Sequence, residues 1–250
     1  MKEHLLKYVL RLGDDSLILG QRLAEWCGHG PILEEDIALT NISLDLIGQA
    51  TSLLNYAAEI EGEGRKGDDF AFLRLEKEYV NCLLVEQVNG HFGDTILRQF
   101  FFDAYRKNLF EALQLSSNKQ LAAIAEKSLK ETRYHLKHSS EWLIRLGDGT
   151  DESHLKMQES LNTLWRYTDE LFFEDEVDCY LRDNKVIPDL SHLKGIWKEH
   201  VDAILLQAKL EIPTNNWQFQ GGRLGRHSEH MGFILAELQY MQRTYPNMEW

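Results

Sequence analysis

Long segments of helical periodicity, separated by short breaks, follow one another along the whole chain. The first predicts a helix over about 3–27, stopped at Gly28-His29-Gly30-Pro31, where Gly can close one helix and Pro can open the next. The second spans about 31–60, with Glu34, Glu35 and Asp36 in its first turn, favourable for the helix dipole. Ile37, Leu44, Ile47 and Leu54 form one apolar stripe on it, and Leu39, Ile42, Leu46 and Leu53 fill the neighbouring one. A helix so broadly apolar is expected in the middle of a bundle. Glu61 to Gly67 reads as a flexible loop. Further helices are predicted over about 70–87, 94–116 and 118–146, the last capped by Asn118 and ended by Gly147. Three more follow: 151–174 with a broken extension to 181, 188 to just before Pro213, and 228–243 capped by Ser228. The residue usage agrees, with 39 Leu against 7 Val and 4 Pro. Leu enters a helix at little rotamer cost, whereas Val is stiff at χ1 and favours strands. With no internal repeat or linker, short connections point to an all-α, ferritin-like antiparallel bundle in one domain, residues 1–250.

The formal charge of −13 opposes general binding to nucleic acid or to an anionic membrane surface. No stretch is expected to supply the roughly 20 apolar residues that cross a bilayer. The start, Met1-Lys2-Glu3-His4, lacks a signal-peptide pattern. Cys27, Cys82 and Cys179 are odd in number and form no C-x-x-C, so neither a disulfide framework nor a structural zinc is expected. A reducing, cytoplasmic setting follows.

Polar residues on the apolar stripes carry the chemical information. Leu121, Ala125, Leu129, Leu136, Trp142 and Leu146 mark the core-facing band of the 118–146 helix. Thr132 and His135 fall on that side, with Glu131 at its edge. Asp45 lies among Ile42, Leu46, Gln49 and Leu53, and Asp103 follows Phe100-Phe101-Phe102. Four-helix bundles hold a di-iron pair with a carboxylate from each of two helices and Glu-x-x-His from the other two. The offset of three puts both ligands on one helix face. Here Thr132 stands three residues before His135, where a bridging carboxylate is required, and Gly48 stands three after Asp45, where a His is required. The ligands left are too few for two hard cations. Asp45, Asp103 and His135 therefore read as interior polar groups paired with one another, with an Arg or with hydroxyls, and no metal is expected in this chain.

Six stretches now align in order along the chain. They are Tyr8-x-Leu10-Arg11-Leu12-Gly13-Asp14, Glu25-Trp26-Cys27-Gly28-His29-Gly30-Pro31 and Asp45-Leu46-Ile47-Gly48-Gln49-Ala50. The others are Leu84-Val85-Glu86-Gln87, Lys130-Glu131-x-Arg133-Tyr134-His135 and Gly222-x-x-Gly225-x-His227-x-Glu229-His230. Together they resemble the C-type, structural subunits of the ring 1,2-phenylacetyl-CoA epoxidases of aerobic phenylacetate degradation. The resemblance implies a non-catalytic subunit that pairs with a homologous, di-iron A subunit, which inserts one oxygen atom into the aromatic ring of phenylacetyl-CoA. It also implies a small B subunit and a reductase carrying FAD and an iron–sulfur centre and drawing on NADPH, with no cofactor in this chain. In the A-type pattern the positions of Asp45, Gly48, Asp103, Thr132 and His135 are those of metal ligands, with Asp15 near a further one. The resemblance further implies substrate-contacting segments at Glu78-Tyr79-Val80-Asn81 and Cys179-Tyr180-Leu181.

Gly221-Gly222-Arg223-Leu224-Gly225-Arg226-His227 is a cationic, Gly-rich loop leading into a helix N-terminus, a geometry that suits an anion. Arg223, Arg226 and His227 could meet a coenzyme A phosphate, or the loop could be capped by Ser228 and docked on a partner subunit. Trp165, Trp197 and Trp217 read as core aromatics or interface anchors. Two other readings stay open: an independent di-iron oxygenase with a reduced ligand set, and a helical acyl-CoA-binding protein.

Overall fold

Gly13 and Gly20 set how closely the first two helices approach. A Cβ on Gly13 would stand 2.8 Å from Leu54 Cδ2, and one on Gly20 would stand 3.1 Å from Ile47 Cγ1. The computed structural model describes residues 1–214, 217–246 and 248. Among these the elements are α1 (Lys2–Ala24), α2 (Leu33–Glu61), α3 (Gly67–Phe72), α4 (Phe92–Leu113), α5 (Lys119–Gly147), α6 (Asp151–Leu164), α7 (Glu176–Asp183), α8 (Leu190–Gln207), α9 (Glu229–Leu238) and α10 (Tyr240–Thr244), with no strand. The all-α bundle expectation is met. The chain divides into two compact units, Met1–Val88 with Gly221–Trp250, and Asn89–Gln220.

In the first unit α1 and α2 form a hairpin, with Val9, Leu12, Ile18 and Leu19 buried on one helix and Leu39, Ile42, Leu46 and Leu53 on the other. The second apolar stripe of α2 is corrected by the structure: Ile37, Leu44 and Ile47 are exposed and only Leu54 is buried. An 18-residue window of α2 reaches a mean hydropathy of 1.2, enough by length and composition to cross a bilayer, which corrects the expectation that no segment does so. Of that window 44% is buried within the protein, the character of a core helix that also keeps an apolar outer stripe.

The helix expected over 70–87 is corrected too. α3 ends at Phe72, and only two short 3-10 turns follow, at Glu76–Glu78 and Leu83–Glu86. The cause is tertiary. Asp14 and Asp15 of α1 accept the backbone N–H groups of Val80 and Cys82 at 3.0 and 2.9 Å, and Arg74 donates to the carbonyls of Phe70 and Glu78. Backbone groups held in this way are not available to a helix ladder, so local propensity yields.

In the second unit α4 pairs with α5, and Asn118 caps α5 as expected, its side chain accepting from Leu121 N at 2.9 Å. Trp165 and Trp197 are core aromatics: their ring centroids lie 6.1 Å apart, and Trp197 Nε1 donates to the Phe101 carbonyl at 3.0 Å. Trp217 is exposed. The expected 151–174 helix stops at Leu164, where Thr168 turns its hydroxyl back onto the Trp165 carbonyl, and α7 starts afresh at the Asp175 cap.

Two helical glycines separate packing from propensity. A Cβ on Gly48 would meet nothing within 4 Å, so Gly48→Ala should stabilise the chain by about 0.5–1 kcal/mol. A Cβ on Gly147 would stand 2.5 Å from the Ala208 carbonyl oxygen. Gly147→Ala should therefore cost about 1–3 kcal/mol, and thermal unfolding should show shifts of opposite sign for the two variants.

Candidate functional site

On α4 and α5 the structure brings Gln99, Asp103, Thr132, His135 and Ser139 inside, each 2% exposed or less. Helical spacing accounts for this: 99 and 103 share one face of α4, while 132, 135 and 139 share one face of α5. Asp103 accepts from Gln99 Nε2 at 2.7 Å and from Ser139 Oγ at 3.0 Å. Burial pushes its carboxyl up to about 7, against the opposing pull of the His135 charge and these two hydrogen bonds. Asp103 thus has an amide and a hydroxyl as hydrogen-bond partners and feels the charge of His135. Thr132 turns its hydroxyl back onto the Ser128 carbonyl at 2.9 Å, so it offers the interior no charge.

The α2 positions differ from expectation. Asp45 is half-buried and lies at the edge of the buried stripe, while Gly48 is exposed. A two-stripe apolar helix does not reveal from sequence which stripe faces inward. Among the described residues no three His, Cys, Asp or Glu side chains converge as a metal site. The residues present do not fit a di-iron pair, because Thr132 and Gly48 offer no ligand where a carboxylate and an imidazole would be needed.

A second polar interior, in the first unit, was not anticipated. Asp14 is paired with Arg74, with Nη1 at 3.0 Å and Nη2 also in contact. Asp15 receives Arg223 through two nitrogens, at 2.8 and 2.9 Å. Glu86 accepts from Asn81 Nδ2 at 2.9 Å, from Ser228 N at 2.8 Å and from Ser228 Oγ at 2.6 Å, while His227 Nδ1 lies at 2.6 Å. The available sequence signal was the pair of adjacent acids inside the apolar run Leu12 to Leu19, which no surface position would explain.

This network changes the reading of the expected binding residues. Arg223 is 4% exposed and committed to Asp15, and the His227 side chain is fully enclosed against Glu86, so both face inward. Arg226 is the exposed cation of that loop. The Ser228 side chain makes no cap bond to α9 and donates to Glu86 instead. In the segment 78–81, Tyr79 and Asn81 are fully buried, Val80 is half-buried and Glu78 is exposed. The Tyr79 ring stacks 4.1 Å from the Arg74 guanidinium, and burial raises its hydroxyl to about 12. On α7, Cys179 and Tyr180 are exposed and Leu181 is buried.

The profile of the phenylacetic acid catabolic protein family matches residues 1–250. A curated relative, the C subunit of 1,2-phenylacetyl-CoA epoxidase from Escherichia coli (strain K12), is 51% identical over 246 residues, covering 98% of this chain and 99% of the relative.

Asp103 makes stability depend on pH. Its folded value of about 7 lies above the ordinary 3.8, so its contribution is fully present below 3.8 and is lost as pH rises through 7. Asp103→Asn keeps the size and the hydrogen bonds but cannot ionise. Its thermal midpoint should exceed that of the parent by a few degrees more at pH 8 than at pH 5, as calorimetry at the two pH values would show.

Proposed function

The chain belongs to the phenylacetic acid catabolic protein family, and from that premise we propose that it is the structural, non-catalytic subunit of a phenylacetyl-CoA epoxidase complex in the cytoplasm. The observation that carries this reading is the interior of α4 and α5. The carboxylate and imidazole of Asp103 and His135 are enclosed with hydroxyl and amide partners, and a hydroxyl replaces the bridging carboxylate at Thr132. Such a helix pair keeps Asp103 and His135 at ligand positions of a di-iron protein but lacks the bridging carboxylate. In this reading the iron belongs to a homologous A subunit, and electrons come from NADPH through a reductase with FAD and an iron–sulfur centre. A small B protein completes the complex.

The outer stripe of α2 supports the pairing. Leu33, Ile37 and Leu44 are 71%, 52% and 61% exposed on a helix whose other face is core. A contiguous exposed apolar strip of this kind marks a protein interface. The partner proposed for it is the A subunit, whose related bundle would bury it. The Gly221–His227 loop gives substrate docking less support, since Arg223 and His227 are occupied within the chain and Arg226 alone points a charge to solvent. Glu78, Cys179 and Tyr180 are the exposed members of the substrate segments implied by the resemblance.

Co-expression with an A-type subunit, followed by pull-down and metal analysis, tests the proposal. Iron should track the A subunit, and Leu44→Glu should weaken co-purification at least tenfold while leaving the helical circular dichroism of this chain unchanged. Two iron atoms per isolated chain, with oxygenase activity in the absence of any partner, would point to an independent di-iron enzyme instead.

A further inference from the structure

We propose that Gly221–Ser228 is a latch that closes over Tyr79–Glu86 only while His227 carries a proton on both ring nitrogens. The argument begins with donors and acceptors. His227 Nδ1 lies 2.6 Å from Glu86 Oε1, and Nε2 lies 2.9 Å from the Tyr79 carbonyl oxygen. A carbonyl only accepts, and so does an ionised carboxylate, whereas a neutral imidazole has one N–H to give. Glu86 accepts three further hydrogen bonds, from the Asn81 side-chain amide and from the N–H and hydroxyl of Ser228, the pattern of a carboxylate acceptor. Both contacts can therefore be satisfied at once only by an imidazolium. The two side chains have no solvent exposure, so water cannot replace a lost bond while the latch is shut.

Neighbouring charges favour the same state. Glu86 and Glu76, on the two 3-10 turns, both act on the ring, while Arg22 of α1 donates to the Glu86 carbonyl at 3.1 and 2.9 Å. Asp15 of α1 is neutralised by Arg223, and Asp14 by Arg74. Exposed Glu229 and half-buried His230 lie on α9 itself, and exposed Lys77 and Glu78 lie on the first 3-10 turn. Burial lowers the His227 pKa, but the Glu86 hydrogen bond and charge, the Tyr79 carbonyl and Glu76 together leave it above the ordinary histidine value. The contribution of this group is therefore fully present below the ordinary value of 6.5 and is lost as pH rises through the raised one.

The two ends of the latch respond differently. Arg223 stays charged at every pH a folded protein meets, so its two-pronged bond to Asp15 is a fixed anchor. Gly225, at φ 73°, turns the chain between that anchor and His227, and a Cβ there would overlap the Lys77 carbonyl. Deprotonation of His227 turns a ring lone pair toward either Glu86 Oε1 or the Tyr79 carbonyl oxygen, so that one of the two contacts becomes repulsive. The chain beyond Gly225, with Ser228 and the first turn of α9, then lifts away and uncovers Tyr79, Asn81 and Glu86. This device does not depend on the role proposed above.

Amide hydrogen exchange on the full chain from pH 6 to 9, corrected for intrinsic rates, tests the latch. Protection of residues 222–235 and 79–87 should fall by up to about tenfold per pH unit between 6.5 and the raised His227 pKa and then level off, while α5 shows only the dependence set by Asp103. His227→Gln should show low protection in the same segments with no pH dependence. Nitrogen-15 shifts of the His227 ring in the unmodified protein supply a second readout that needs no variant. Two protonated nitrogens at pH 6, giving way to one as the segments lose protection, are expected. A neutral ring at pH 6, or protection that varies with pH equally in His227→Gln, would overturn the proposal.

Discussion

Asp14 and Asp15 are adjacent carboxylates in the middle of α1, neither with any solvent exposure, and the first unit is arranged around neutralising them. Removing one partner from a buried ion pair costs about 3–5 kcal/mol, so a cation must reach each of them. Helical geometry points neighbouring residues in different directions, and two separate segments answer: Arg74 reaches Asp14, and Arg223 arrives at Asp15 from 208 residues away. The oxygens also take backbone N–H groups from Val80 and Cys82. From this follow the irregular backbone of 73–87, the burial of Tyr79 and Asn81, and the return of the C-terminal segment to α1.

The second unit handles a buried acid in another way. Asp103 has an amide, a hydroxyl and the charge of His135, but among its interactions no arginine comparable to those on Asp14 and Asp15. Neutral donors offset desolvation less than a guanidinium does, and the carboxyl responds by holding its proton to about pH 7. The same residue type thus has two outcomes, set by which donors reach it. A guanidinium ties the acid to a distant segment of the chain, whereas Asp103 is held by neighbours on its own helix pair.

Much of the helical framework was legible because α1, α2, α4, α5 and α8 each carry the apolar period and end at recognisable breaks, such as Asn118 and the Gly28 to Pro31 turn. The interior positions of Asp103, Thr132 and His135 were legible for the same reason, since a residue between buried leucines on one helix face is itself buried. Three features were not. The outer stripe of α2 is as apolar as its inner one, so period alone cannot choose between Leu44 and Leu46. The 73–87 segment has helical residues but loses its ladder to carboxylates far away in sequence. Ser228 looks like a cap, yet its hydroxyl goes to Glu86, a partner 142 positions distant. Two of these misses are long-range polar contacts, which leave no local period, and the third is a period that two faces share.

The interior polar positions of α4 and α5 also make physical sense. A di-iron cage gathers carboxylates whose mutual repulsion only the metal offsets, so a bundle without metal cannot keep them all. Thr132 carries no charge and closes its hydroxyl on its own helix, and Gly48 stands where α2 is open to solvent. Asp103 remains because Gln99, Ser139 and His135 can hold it in either protonation state. Asp103 and Thr132 thus each find partners on α4 and α5 themselves.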